Sequence, residues 1–327
     1  MPFALFAFKI TFETASLRFN KYNFNLKSSM KVKNVIVGLC ALFIVFAFAS
    51  CGGGTKSAAE TSKEEVDPKL VAEGPYEKFI EATDISPAYV LIEKSQVNLD
   101  DFAKDSDGYI TLFDGTFNGW RGYNRDDVPA RWVIEDGAIK FNGSGGGEAQ
   151  EADGGDIIFA HKFKNFELTF EWKVAKGANS GVFLLAREIK GEPIYISSPE
   201  YQILDNENHP DAKEGENGNR QSASLYDMIP AFPQNANPFG EWNTGGITVS
   251  KGSVFHKQNG KTVVEYHLWT PQWENLINNG KFRKGGSFPL AFGLLTNLGG
   301  AEREGYIGFQ DHGDDVWYRN IKIKILD

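Results

Sequence analysis

Hydrophobic and polar residues alternate over short stretches of this 327-residue chain, and a period of two predicts strands. Phe166, Leu168, Phe170 and Trp172 fall on one face of a segment whose other face carries Glu167, Thr169 and Glu171. That is the pattern of a strand with one side on a core. Gly181-Val-Phe-Leu-Leu-Ala186 is apolar on both faces and predicts an interior strand. Val254 to Leu268 divides around Gln258-Asn259-Gly260-Lys261, and Asn-Gly between two alternating runs predicts a tight hairpin. Further strands are expected over Ile247 to Val249, Phe288 to Leu295, Tyr306 to Phe309 and Val316 to Ile325. No long helical period, dinucleotide fingerprint, phosphate loop or internal repeat interrupts the pattern. From about residue 108 to 327 the chain therefore predicts one all-β domain, an antiparallel β-sandwich.

Ahead of that domain the texture differs. Met30 opens a short basic stretch (Lys31, Lys33), an apolar run follows from Val35 to Ala49, and small residues precede Cys51. This order predicts a bacterial lipoprotein signal over residues 30–51, ending at a lipidated Cys51. Residues 1–29 read as an upstream mis-start. A membrane-crossing helix is the competing reading, but the run is shorter than the about 20 apolar residues a span requires. Residues 52–107 read as a flexible tether with a short helical lead-in over 67–82, where Leu70, Tyr76, Phe79 and Ile80 share a stripe behind Pro68. The expected location is the cell envelope, with the lipid as the only membrane contact.

Composition narrows the partners. Lys and Arg number 34 against 43 Asp and Glu. Loss of residues 1–50 would remove Lys9, Arg18, Lys21, Lys27, Lys31 and Lys33 against the single acid Glu13, leaving the mature chain more acidic still. A polyphosphate asks for a basic surface, so nucleic acid is not an expected partner. Of the 2 cysteines, Cys40 leaves with the signal and Cys51 takes the lipid. Neither a disulfide framework nor a cysteine metal site is available, and stability must come from a hydrophobic core.

Several polar groupings have no evident part in that core. In Glu200-Tyr-Gln-Ile-Leu-Asp205, alternation places Glu200 and Gln202 on one face, where a carboxylate and an amide could grip adjacent sugar hydroxyls; a solvent-facing stripe is the other reading. The oxygen-rich loop from Asn206 through Asp211 to Arg220 invites Ca²⁺, but its spacing is not that of an EF-hand, which favours a simple solvated loop. Gly240-Glu-Trp-Asn243 sets an indole beside a carboxylate and an amide, suited to a pyranose or to a lid on the core. Asn179-Ser180-Gly181 precedes the interior strand, where glycine permits close approach. Near the C-terminus, Gln310, Asp311 and His312 lead into a strand in which strict alternation puts Trp317 and Arg319 on the isoleucine face. Either a bulge near Asn320 resets the register or Arg319 points into a polar site. His256 and His267 lie in the hairpin and are expected to face a sheet surface, and no two histidines stand at zinc-ligand spacing such as i, i+4.

Leu112-Phe-Asp-Gly-Thr-Phe-Asn-Gly-Trp120, Asn179-Ser-Gly-Val182, Glu200 to Asp205, Leu225-Tyr-Asp227, Gly240 to Asn243, Asn259-Gly-Lys261 and Gln310 through Ile321 together resemble, in collinear order, the 3-keto-disaccharide hydrolase domain family. Two positions depart from its pattern. His256-Lys257-Gln258 replaces an apolar pair before the hairpin turn, and Ser222-Ala223-Ser224 replaces a Gly-Ala ahead of Tyr226. The resemblance implies a concanavalin A-like jelly roll binding carbohydrate on its concave face, and an enzyme acting on 3-keto-glycosides. A ketone at C3 acidifies the C2 hydrogen; a base removes it, the C1 substituent is expelled, and water adds to the unsaturated sugar. On this resemblance His312 or Glu200 would be the base and Glu241 or Asp205 the acid. Asn179, Gln202 and Arg319 would stabilise oxyanion and hydroxyls, with Ser180, Tyr226, Trp242, Asn243, Gln310, Asp311 and Trp317 lining the sugar site. Arg319 and His312 are expected to converge with Glu200 and Gln202. No cofactor is required by this scheme beyond a possible divalent cation. A non-catalytic carbohydrate-binding surface lipoprotein is the alternative, because this kind of sandwich serves binders and enzymes alike.

Overall fold

The computed structural model describes residues 89–143 and 153–327; the signal, Cys51, the tether to residue 88 and the helix expected over 67–82 lie outside them. In chain order the strands are β1 (Ile110–Thr111), β2 (Trp120–Gly122), β3 (Trp132–Glu135), β4 (Ala138–Phe141), β5 (Ile157–Phe159), β6 (Phe166–Val174), β7 (Asn179–Ala186), β8 (Glu200–Leu204), β9 (Asn243–Ser250), β10 (Ser253–Gln258), β11 (Lys261–His267), β12 (Tyr306–Phe309) and β13 (Val316–Ile325). Two short helices, α1 (Pro271–Asn279) and α2 (Ala291–Thr296), lie between β11 and β12. Eight strands make one sheet in the order β11-β10-β9-β6-β13-β4-β3, with β1 also paired to β13, and five make the other in the order β2-β5-β12-β7-β8. The sandwich is all-β and antiparallel, as the alternation predicts.

The core lies between the sheets. β6 alternates strictly, with Phe166, Leu168, Phe170 and Trp172 buried and the residues between them partly exposed. Phe309 of the smaller sheet and Tyr318 of the larger stack at 4.1 Å, nearly parallel, and Phe170 meets Tyr201 edge-on at 5.5 Å. Aromatic pairs of this kind add to simple burial and fix the spacing of the sheets. The β10–β11 hairpin turns at Asn259 (φ 45°) and Gly260 (φ 78°). Both residues have the positive φ that a two-residue hairpin turn demands.

Three expectations change. The apolar run from Phe288 to Leu295 is not a strand: residues 291–296 form α2, which Trp269 and Trp273 cap by donating their indole N–H groups to the carbonyls of Leu298 and Leu295. Residues 89–107 are not tether but a strap on the sandwich, pairing Leu91 with Ile189 and donating Val97 N–H to Ala160 O. His256, expected on a sheet surface, is fully buried, and its Nδ1 donates to Ala223 O at 2.9 Å. The two departures from the family pattern thus meet in one hydrogen bond, and Ala223 occupies the left-handed region at φ 62°.

Candidate active site

One face of the smaller sheet packs on the core through Ser180, Val182 and Tyr201, so the opposite face carries Asn179, Gly181, Glu200 and Gln202. Register fixes this, because Gly181 stands opposite Gln202, and Ser180 opposite Ile203. Gln310 joins the same face at the end of β12, its N–H donating to Gly181 O at 2.9 Å. Gly181 has no β-carbon, and the Glu200 side chain lies across the space one would fill. Beyond β8 the segment from Ser222 to Tyr226 continues the wall, through Ala223 N–H to Gln202 O and Tyr226 N–H to Glu200 O.

Unpaired polar atoms mark this face. Among the described residues, Asn179 Oδ1, Gln202 Nε2 and Gln310 Oε1 are buried without a hydrogen-bond partner, though buried polar atoms are nearly always satisfied. Two acceptors and one donor on one sheet face make a surface incomplete without a polar ligand. At its edge Asn179 Nδ2 lies 3.2 Å from His312 Nε2, and Asn179 N–H donates to Asp314 Oδ2 at 3.0 Å. His209 packs edge-on against His312, with ring centroids 6.0 Å apart. The loop after β8 delivers His209 there: its Nδ1 accepts Asp211 N–H, capping the turn that follows.

The same loop builds the wall behind Glu200. Asp211 accepts the Tyr226 hydroxyl at 3.0 Å and Arg220 Nη1 at 2.7 Å, while Arg220 Nε donates to Asp227. Arg220 and Lys281 both stand over the Tyr226 ring. Burial, then the charges of Glu200 and Asp211, push the Tyr226 hydroxyl far above its ordinary pKa, so it stays protonated.

Several expected site residues have other work. Asp205 accepts the N–H groups of Gly177, Glu207 and Asn208 and the Asn208 amide. Burial pushes its pKa up, but these donors outweigh it and hold the carboxyl below its usual range, which suits a loop anchor and not a proton donor. Asp311 is fully buried and accepts Gly155 and Gly313 N–H groups. Ser180 faces the core, donating to Gln310 O and pairing with the Tyr318 hydroxyl. Asn243 holds its own loop by accepting Asn237 N–H and the Asn259 amide. Glu241 is exposed in the loop ahead of β9.

Arg319, Trp317 and Trp242 do not join Glu200. The bulge falls at Asn320 (φ 51°), where the β13–β6 register shifts, and it turns Arg319 onto the face that carries Lys322 and Lys324. There Arg319 Nε donates to Glu171 at 2.8 Å and its guanidinium covers the Trp242 ring at 3.9 Å. Lys173 lies over both Trp242 and Trp317, and Lys140 over Trp317. These rings serve a cation–π ladder on the outside of the larger sheet. Sequence spacing missed His209 and Asp314 because their partnership with His312 exists only across the folded chain; the Asn206–Asp211 loop was the signal that could have found the first.

An antiparallel β-sandwich with a polar, ligand-poised sheet face is the class these features define. Residues 108–324 match the family model described as the 3-keto-alpha-glucoside-1,2-lyase-like domain, and the chain belongs to that family. A curated 3-keto-disaccharide hydrolase of Bacteroides thetaiotaomicron is 54% identical over 306 residues, covering 90% of this chain and all of that one. Among solved structures, a candidate glycosyl hydrolase of Parabacteroides distasonis aligns with TM-score 0.57 at 30% identity, over 68% of this chain and 95% of that one. A second from the same organism, at 24% identity and TM-score 0.50, covers 67% and 99% and shares the fold.

Proposed function

We propose that this chain, by family a hydrolase of glycosidic bonds, acts on 3-keto-disaccharides by elimination and hydration, with Glu200 as the base. The observation that carries this reading is the sheet face on which Glu200 lies over Gly181 among the unpaired atoms of Asn179, Gln202 and Gln310. Glu200 takes the C2 proton. Gln202 Nε2 donates to the oxygen that gains charge as the enediolate forms, where a donor in a buried setting contributes most. Asn179 Oδ1 and Gln310 Oε1 accept sugar hydroxyls. The proton that Glu200 has taken then passes to the leaving C1 oxygen as the C1–O bond breaks, and water adds to the unsaturated sugar.

Turnover of a 3-keto-glucoside and of its unoxidised counterpart, with C2 deuterium exchange followed by NMR, tests the scheme. Wild type should exchange and cleave only the keto sugar. Glu200→Gln should lose about 10²–10⁴-fold in both while still binding it. Cleavage of the unoxidised sugar at a similar rate, or a fully active Glu200→Gln, overturns the assignment; binding without turnover by wild type would favour the carbohydrate-binding alternative. The proposal extends to location: Cys51 carries lipid and tethers the domain to the envelope. Detergent-phase partitioning should be lost in Cys51→Ser, and an unchanged partition would refute the anchor.

A further inference from the structure

The polar atoms that wait for the keto ring all lie to one side of Glu200. Asn179, Gln202 and Gln310 surround Gly181. On the other side the sheet face closes, because Phe183, opposite Glu200 in the β7–β8 register, is buried in one apolar cluster with Ile194. A β-carbon on Gly308 of β12 would lie 2.9 Å from Ile194 Cδ1, so the turn of residues 194–196 rests on the sheet. It sets Tyr195 at the rim of the open face. Tyr226, whose N–H donates to Glu200 O at 3.1 Å, forms the neighbouring rim.

One ammonium reaches both rims. Lys281 Nζ lies 4.6 Å from the centre of the Tyr226 ring and 5.2 Å from that of Tyr195, with Phe282 at 5.0 Å and Phe288 at 6.0 Å. The lysine is held there by its backbone, since its N–H donates to Asp227 Oδ2 at 3.0 Å. Arg220, the other cation on Tyr226, is committed to Asp211, Asp227 and Glu214. Lys281 Nζ has ring faces only and makes no hydrogen bond or ion pair among the described residues. Ring faces attract an ammonium but leave its charge unneutralised.

We propose that Tyr195, Tyr226 and Lys281 form the subsite for the departing sugar, and that this sugar is a uronic acid. The inference rests on the elimination reading: with C2 at Glu200 and the keto ring over Gly181, the C1 substituent extends to the side where these rings stand. Aromatic faces suit the C–H face of a pyranose. A single ammonium matches the single charge of a carboxylate, whereas a phosphate carries nearly twice that and three acceptor oxygens. The subsite orients the departing sugar and moves no proton.

Two 3-keto-glucosides that differ only in the leaving sugar, glucose or glucuronic acid, test this on the full chain. Wild type should favour the acidic one by about 10–100-fold in kcat/KM, the worth of one charge-assisted hydrogen bond. Lys281→Met, which keeps the packed stem, should bring the ratio to about one, and Lys281→Arg should retain a preference. A merely structural lysine would lower both rates together and leave the ratio alone. Ligand-observed NMR with methyl glucuronide and methyl glucoside reads the subsite without turnover: wild type should prefer the glucuronide, and Lys281→Met should not. A wild-type ratio near one, or a preference unchanged in Lys281→Met, overturns the acidic subsite. Lysine-dependent glucuronide binding in a wild type inactive on both keto sugars overturns the elimination reading instead, and loss of both binding and turnover overturns both.

Discussion

A β-carbon added to Gly181 would lie 2.7 Å from Glu200 Cγ and 2.8 Å from Glu200 Cδ, closer than real contacts permit. Its backbone needs no special φ, so the constraint is space alone. Gly181→Ala should fold, because the neighbour that must yield is a side chain, but it should push Glu200 off the sheet face and cut turnover by at least about 100-fold. A circular dichroism melt beside a keto-sugar assay checks this; retained activity would mean that Glu200 acts from another position. His256 bears on stability instead. Burial drives its pKa down to about 4, while the hydrogen bond to Ala223 pulls the other way. Unfolded, it titrates near 6.5, so between pH 6.5 and 4 the unfolded chain binds more protons and stability falls as pH falls. The depression corresponds to about 3 kcal/mol of stability, present in full above pH 6.5 and lost by the time the pH has fallen below 4. Urea unfolding across that range should show a loss that His256→Gln, whatever its starting stability, lacks.

At the level of elements, β6 and the Asn-Gly hairpin are legible because their cause is local: alternation against one core face, and a turn that only positive φ can close. β13 is legible except at one residue. Its lysines and isoleucines alternate from Ile321 onward, but the bulge at Asn320 inverts everything before it, and no periodicity reveals on which side Arg319 emerges. The run 288–295 failed for a related reason: a short apolar stretch suits a buried strand or a helix equally, and here two tryptophans reached from outside it decide for α2. The candidate site was legible where it lies along strands, as with Glu200 and Gln202, and hidden where loops bring distant residues together, as with His209 and Asp314. Arg319 gives the sharpest check of the corrected face. Arg319→Ala removes a half-exposed guanidinium from Glu171 and Trp242. It should cost about 0.5–1 kcal/mol of stability and leave kcat/KM within twofold of wild type. A hundredfold loss of kcat/KM would return Arg319 to the sugar site.

Across the whole domain, the sandwich leaves the two ends of β7 with different tasks. Its start carries the site face, while its exit leads to Glu188, about 20 Å from Gly181 at the rise of a strand. Glu188 is 1% exposed and receives Arg121 of β2 in a two-pronged pair, with Nη1 to Oε1 at 2.7 Å, and also accepts Asn124 N–H at 2.8 Å. Ile92 N–H donates to Glu188 O, so the 89–107 strap, the edge strand and the exit of β7 are joined at one residue. Two buried charges gain little over well-packed apolar residues, but removing one strands the other, since Arg121 cannot discharge by losing its proton. Glu188→Gln should therefore lower the free energy of unfolding by about 3–5 kcal/mol. At temperatures where the variant stays folded, keto-sugar turnover should match wild type, because nothing at the start of β7 has changed. A loss below about 1 kcal/mol would mean that water reaches Arg121 once the carboxylate is gone, and the strap would then be held by its backbone pairing and apolar contacts alone.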